Sequence, residues 1–296
     1  MKNLTQTIKY LCKNLIFVLG FVVLPACFMG GLLKPFSTIT FVVDYKNLVV
    51  SGFGDILKAI YGISWVAAFN WLLAIILFVV LISAVLGVVD NHFKTGKLNV
   101  SPTLNFINNN SLIVATYSLI FIASYVLYKF LLGLVCFILH IVFGCLNTVI
   151  SLPAYIIFVI IFALSLLLVA YLFGMVLIAV VDTCTCGYSI LTSMSDATDL
   201  IGKKVWQVIL LVVLPFVIIV PLVIVGHLFG LSVVLNIISL IILYSYYPVL
   251  AYTMYYDFSR ITDCGELDLS DHVRRSPSVW FVYRDYYSLR IVVDAS

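Results

Sequence analysis

Charge is what this sequence has least of. Asp, Glu, Lys and Arg together make up 10% of it, and glutamate occurs once, at Glu266. A water-soluble domain needs far more charge than this to cover its surface, so a soluble globular fold is excluded. The lone glutamate also confines carboxylate chemistry to aspartates. Basic residues are scattered, and a net charge of +3 is not the concentrated patch that nucleic-acid binding requires. There is no phosphate-binding glycine loop, no H-E-x-x-H helix and no Ser-His-Asp order. The sequence therefore points to no catalytic residue, no cofactor, no metal and no nucleic-acid partner. The seven cysteines are odd in number and dispersed, which argues against a disulfide framework. Cys12, Cys184, Cys186 and Cys264 fall in segments assigned below to the cytoplasm, where thiols stay reduced.

Apolar side chains are what the sequence has in excess, at 64% of residues with a mean hydropathy of +1.21. A bilayer offers such a surface an apolar solvent. Runs near residues 14–33, 63–89, 111–134, 153–181, 207–229 and 231–256 are each about 20 residues or longer, enough to cross roughly 30 Å of hydrocarbon. The first follows Lys2, Lys9 and Lys13 as a signal peptide would, but no A-x-A cleavage pattern closes it, so it reads as an uncleaved helix. Leu24-Pro25-Ala26-Cys27 faintly resembles a lipoprotein processing site; the proline fits poorly, and a small-residue stretch in a membrane helix is the simpler reading.

The stretch 130–152 is nearly as apolar as a span, and charge decides its placement. With six spans, Lys2, Lys9, Lys13, Lys94, Lys97, Lys203, Lys204, Arg260, Arg274, Arg275, Arg284 and Arg290 lie inside, 12 of the 16 basic residues. A seventh span reverses this to 5 inside and 11 outside, against the positive-inside bias. The expected fold is thus an all-α polytopic transmembrane bundle of about six helices with both termini cytoplasmic. Residues 1–256 form the transmembrane domain and 257–296 a cytoplasmic tail. The stretch 130–152 becomes the outer end of a long third helix plus a re-entrant or interfacial turn, with Lys129 snorkelling to the outer headgroups. Pro25, Pro215, Pro221 and Pro248 are expected to kink their helices, and Pro153 to start the fourth. Trp65, Trp71 and Trp206 sit near span ends, where amphipathic rings prefer the headgroup layer.

The even-numbered spans end alike, at Val88-Val89-Asp90, Val180-Val181-Asp182 and Tyr255-Tyr256-Asp257. Short interfacial helices are expected after the first two, one starting at Ser101-Pro102 and one at Ser195-Asp196. Three hairpins follow, pairing spans 1–2, 3–4 and 5–6. The plain reading of the aspartates is that each marks where the chain meets water. The functional reading has them converge at the inner mouth; Asp182 or Asp257 is expected to pair with Lys94, Lys97, Lys203, Lys204 or Arg260, or to cap an interfacial helix, tying adjacent hairpins together. Lys203 and Lys204 also lie where they reach lipid phosphates.

Three segments carry a resemblance: Asp90-Asn91-His92-Phe93-Lys94, Ser193-Met194-Ser195-Asp196 through Gly202-Lys203-Lys204-Val205-Trp206, and Tyr247-Pro248-Val249 through Tyr255-Tyr256-Asp257. They are similar to a broad family of bacterial six-helix membrane proteins. That family includes the membrane domain preceding some glycerophosphodiester phosphodiesterases and related Gram-positive membrane proteins of unassigned function. The resemblance covers roughly residues 60–260 and is architectural. This sequence has no counterpart of the soluble phosphodiesterase domain, so no catalytic residue carries over. What the resemblance implies is a membrane module in a bacterial cytoplasmic membrane.

No charged residue is expected at mid-membrane, which weakens a carboxylate-driven transporter. Lys129, His140 and His227 lie toward the outer ends of their segments. The sixth span concentrates Tyr244, Tyr246 and Tyr247, and a phenol in hydrocarbon needs a partner. Pro248 frees the carbonyl of Tyr244 to serve as one, so packing is favoured over a polar-lined pathway. Cys184-Thr185-Cys186 with Cys264 makes a poor zinc set. In the tail, residues 280–293 read as a short β-hairpin that docks on the inner face or on a protein partner. Asp90, Asp182, Asp257, Lys203, Lys204, Tyr244 and Tyr247 are therefore the candidate functional residues. The favoured function is a non-enzymatic module that binds a partner or handles membrane lipid at the inner face. A permease lined by the fifth and sixth spans, and an intramembrane enzyme using the aspartates, are the alternatives. Cysteine-accessibility labelling should report Lys46 outside and Lys203 and Arg275 inside; an outside signal at Arg275 removes the six-span arrangement.

Overall fold

The computed structural model describes residues 2–32, 35–61, 67–95, 101–202 and 204–258. Among them there are helices and turns and no strand. In chain order these are α1 (Lys2–Leu32), α2 (Ser37–Asp44), a 3₁₀ turn (Tyr45–Asn47), α3 (Phe53–Tyr61), α4 (Ala67–Thr95), α5 (Ser101–Val142), α6 (Leu152–Cys186), α7 (Ile190–Ile201), α8 (Val205–Val213), α9 (Phe216–Leu228) and α10 (Ser232–Phe258). Six segments are long and apolar enough to cross a membrane, with α8 and α9 together forming the fifth. The all-α polytopic bundle expected from the sequence is the fold of the protein.

Local signals set the ends. Pro153 lies in the first turn of α6, where its missing N–H costs nothing. Gly187 ends α6 in the left-handed conformation, at φ +68°, and returns its N–H to the Thr183 carbonyl at 3.0 Å. The cap of α7 is Ser189, whose hydroxyl accepts from Thr192 N, so this helix begins earlier than the expected start at Ser195. The other expected interfacial helix does not exist as a separate element. Ser101 starts a helix that runs unbroken for 42 residues through the third span, because nothing after Pro102 interrupts it. In α1, helix precedes the expected start, and Asn14 marks a kink with φ −119° and ψ 15°.

The expected hairpin pairs are all in contact, and α10 adds a centre. It packs against α1, α4, α6 and α9, and most extensively against α1. Small residues admit these approaches. A Cβ on Gly30 would stand 2.8 Å from Ile237 Cγ1, and one on Gly174 would strike Val208. Of the four prolines inside apolar runs, Pro215 alone separates two helices; Pro25, Pro221 and Pro248 sit within continuous ones. The break at Pro215 frees carbonyls of α8, and α10 supplies the donors. Tyr246 Oη donates to Leu211 O at 2.9 Å and Tyr247 Oη to Val212 O at 3.0 Å. Two of the three mid-span phenols, Tyr246 and Tyr247, are thus partnered across the bundle by the backbone that Pro215 opens, and not by the expected carbonyl beside Pro248.

A second core, separate from the main one, lies at the opposite end from the N-terminus and residue 258; we call these the distal and terminal ends. Tyr45, Ile56 and Ile60 pack there against Cys136 of α5 and Phe158 of α6. Tyr45 donates to Cys136 O at 3.2 Å, and its burial raises the phenol well above its ordinary range. The loop between the first two spans is therefore a helical cap clamped on the α5–α6 hairpin. Lys129 belongs to this clamp, which corrects its expected snorkelling. It is only 6% exposed, donates to Ser37 Oγ at 2.8 Å and lies 4.8 Å from the Tyr125 ring centroid.

The tyrosine–proline pairing predicts a specific coupling. Tyr246→Phe should cost about 1–3 kcal/mol by leaving Leu211 O buried and unpaired. In a Pro215→Ala background residue 215 supplies an N–H for that same carbonyl, so the cost of Tyr246→Phe should shrink. Denaturant unfolding in detergent measures both; equal costs in the two backgrounds would refute the pairing.

A candidate functional site at the terminal end

The three exit aspartates lie at one end of the bundle, each on a different helix. Asp90 is 8% exposed and Asp182 4%. Asp90 Oδ2 pairs with Lys94 Nζ at 2.8 Å, one turn on in α4. Asp90 also faces Tyr252 of α10 and Cys184 of α6. Asp182 Oδ1 accepts from Tyr255 Oη at 3.0 Å. Its other neighbours are Ser193 and Asp196 of α7 and Cys186 of its own helix. Asp257 lies 3.7 Å from Lys204 Nζ, which also sits 4.2 Å over the Phe258 ring. Tyr252, Tyr255 and Asp257 fall within about 8 Å along the α10 axis, so one layer of α10 touches α4, α6 and the start of α8.

Of the two aspartates expected to pair with a base, Asp257 does so, with Lys204 of its own hairpin, whereas Asp182 is held by a phenol; Asp90 pairs with Lys94. Asp257 and Lys204 tie the sixth span to the fifth. The carboxylates do not converge on one point: among the described residues no group of three or more His, Cys, Asp or Glu is placed to hold a metal ion. Lys203, Cys264 and the expected β-hairpin of the tail lie outside the described residues. Tyr247 belongs to the Pro215 clamp, and Tyr244 packs its ring 5.1 Å from Phe78.

Sequence reasoning missed most of this layer. Thr7 of α1 meets Thr253 of α10 at 2.9 Å. Tyr117 of α5 meets Thr183 of α6 at 2.8 Å. Tyr10, Phe93 and Tyr256 form a stacked column joining α1, α4 and α10. The layer is also rich in buried polar side chains: Ser193 faces Asp182, Tyr252 faces Asp90, and both side-chain polar atoms of Asn3 lack a protein partner. A signal for it was present: Asn3, Thr7, Tyr10 and Asn14 recur at steps of four, three and four, which is one helix face. The basic residues interleaved with them had marked this segment as a polar flank and not as a buried stripe.

Beside the layer, the elbow between α7 and α8 opens a cleft of about 400 Å³ lined by Gly202, Lys204, Val205, Trp206 and Gln207. No side chain caps the N-terminus of α8. Trp206 is 70% exposed at its edge. On α7, Ser193, Ala197 and Ile201 form a buried ridge at a spacing of four, so this helix lies on the bundle by one face.

Fold and layer together define an all-α polytopic membrane protein with a buried polar stratum at its terminal end. No family model, curated protein or solved structure matches the chain.

The Asp182–Tyr255 bond joins the fourth and sixth spans inside this stratum. Tyr255→Phe should destabilise by about 1–3 kcal/mol, as expected for a buried bond to a carboxyl group. Asp182→Asn keeps an acceptor and should cost less than Asp182→Ala, with membrane insertion retained in all three. Thermal unfolding in detergent ranks them; an Asp182→Asn cost equal to that of Asp182→Ala would contradict the bond's role.

Proposed function

We propose that this protein is a non-enzymatic integral membrane module that engages anionic phospholipid headgroups at its terminal face. On the positive-inside rule we assign that face to the cytoplasmic side of a bacterial cell membrane. The observation that supports this reading most is the α7–α8 cleft. It combines a lysine ammonium, an uncapped helix N-terminus and an exposed indole, three features suited to a phosphate at a membrane surface. Lys203, adjacent in sequence, adds a second positive charge. The ion pair between Lys204 and Asp257 is long, and a lipid phosphate competes with that carboxylate for the ammonium. A protein partner is expected at the tail, residues 257–296. The architectural resemblance to bacterial six-helix membrane modules agrees with this reading.

The alternatives draw less support. A pathway between the fifth and sixth spans runs against Tyr246 and Tyr247, whose hydroxyls are tied to α8 across that interface. Metal-assisted chemistry at the aspartates finds no three-ligand group among the described residues.

The test is lipid retention. Protein purified in detergent and exchanged into nanodiscs of mixed phosphatidylglycerol and phosphatidylcholine should retain phosphatidylglycerol preferentially by native mass spectrometry. Replacing Lys203 and Lys204 together with Gln should weaken this by about 1 kcal/mol per charge, roughly fivefold each. Equal retention by wild type and double variant would overturn the proposal.

A further inference from the structure

We propose that the distal end is two-faced: the α5–α6 turn and its flanks, residues 138–156, are immersed in the acyl chains of the host bilayer, while α2, the 3₁₀ turn and α3 face water beside them.

The sequence supplies the first observation. From Phe130 to Val181 there is no Asp, Glu, Lys or Arg. The one ionisable imidazole within it, His140, is fully buried. The turn carries no charge; its uncharged polar side chains Asn147 and Thr148 are exposed among apolar ones, and the helix ends beside it expose Val142 at 70% and Leu152 at 71%.

Length supplies the second. The Asp182–Tyr255 bond sets a common level for α6 and α10 at the terminal end. From that level α6 runs back to Leu152, about 45 Å at 1.5 Å per residue, whereas α10 runs back to Ser232, about 35 Å. The hairpin thus outreaches its neighbour by roughly 10 Å, and its surface stays apolar to the tip. Leu152, Ile156, Ile160, Leu164 and Leu168, at a constant spacing of four, are all exposed and form one ridge. The ridge is continuous with the lipid-facing side of the fourth span. This continuity selects lipid over a protein partner as the occupant, because the ridge shows no change of character where the other spans end.

Backbone hydrogen bonding supplies the third. Exposing a non-helical turn to hydrocarbon is least costly where its backbone N–H groups are met within the protein, and most of those between 143 and 151 are. Here Phe143 N bonds Leu139 O, Gly144 N bonds Ile141 O, Cys145 N bonds His140 O and Thr148 N bonds Cys145 O. Asn147 N reaches across to Val50 O at 2.9 Å, and Ser151 N donates to Cys145 Sγ. The cap's other flank has the opposite character. Lys46 and Lys58 are exposed. Asp55 accepts from the amides of Ser51 and Gly52 and from the Ser51 hydroxyl, which hold its carboxyl below the usual range. An apolar ridge longer than the hydrocarbon is thick is accommodated by tilt or by local thickening of the leaflet.

Site-directed spin labelling tests the placement in the full chain. Nitroxides are placed at Val142, Leu152, Lys46 and Lys58, with Leu164 as the mid-span control and Cys12, Cys27 and Cys264 replaced by serine, in liposomes. The labels at 142 and 152 should collide with oxygen far more than with the water-soluble nickel complex NiEDDA, as at 164, and those at 46 and 58 should show the reverse. Preferential collision with the nickel complex at 142 and 152 would place the turn in water. Protection from both reagents would place a second copy or another protein there. Either result overturns the proposal.

Discussion

Every backbone polar group inside a bilayer has to find its partner within the protein, and the break at Pro215 makes that requirement the organising constraint of this bundle. A proline there removes the N–H that would have met Leu211 O and splits the fifth span into α8 and α9. In water the freed carbonyls would be hydrated. In hydrocarbon each would cost several kcal/mol. Tyr246 and Tyr247 on adjacent positions of α10 meet two of them, so the sixth span is locked in rotation and in height against the fifth. Because α10 also touches α1, α4 and α6, the same lock fixes the register of three other helices.

At the terminal end the logic changes from backbone to side chain. Two carboxylates are buried where helices end, Asp90 bonded to Lys94 with Tyr252 beside it and Asp182 bonded to Tyr255 with Ser193 beside it. Buried polar networks specify geometry strongly when satisfied and are costly when they are not. With Asn3 also buried, this stratum concentrates polarity inside an otherwise apolar protein. Such concentration is expected of a region retained for function more than for stability. The cleft of the α7–α8 elbow adjoins it, through the Lys204–Asp257 pair.

The spans were legible because an apolar run of twenty or more residues has one meaning in a chain so poor in charge. Their ends and partners were less so. Apolarity does not distinguish a helix that leaves the bilayer from one that continues, and α5 therefore extends well beyond both ends of its apolar run. In the loop 35–61, Tyr45, Ile56 and Ile60 are fully buried, because their apolar partners Cys136 and Phe158 come from residues about 75 to 115 positions later. Periodicity does not reveal a contact of that separation. Lys129 failed for the same reason. Its charge predicted an outer-surface position, but the Tyr125 ring and the Ser37 hydroxyl that house it are set by the tertiary fold. Among the candidate site residues, the exit aspartates were visible as a repeated pattern. Tyr252, Tyr255 and Ser193, which surround two of them, were not, because tyrosine in a membrane helix has several uses that sequence alone does not separate.

The two ends of the molecule differ in a way that bears on what each is for. At the distal end a buried lysine is housed by aromatic rings and a hydroxyl, most of the turn's backbone N–H groups are bonded within the protein, and the apolar ridge runs to the tip. His140 Nε2 and Ser151 Oγ are buried there without a partner, as several polar atoms are at the terminal end. At the terminal end polar atoms remain without protein partners, a helix N-terminus is uncapped, and an indole and a lysine stand beside an open cleft. The buried atoms of the stratum are closed to a ligand; what the terminal end presents to one is the cleft with its lysine, indole and helix N-terminus, the combination on which the proposed lipid engagement rests.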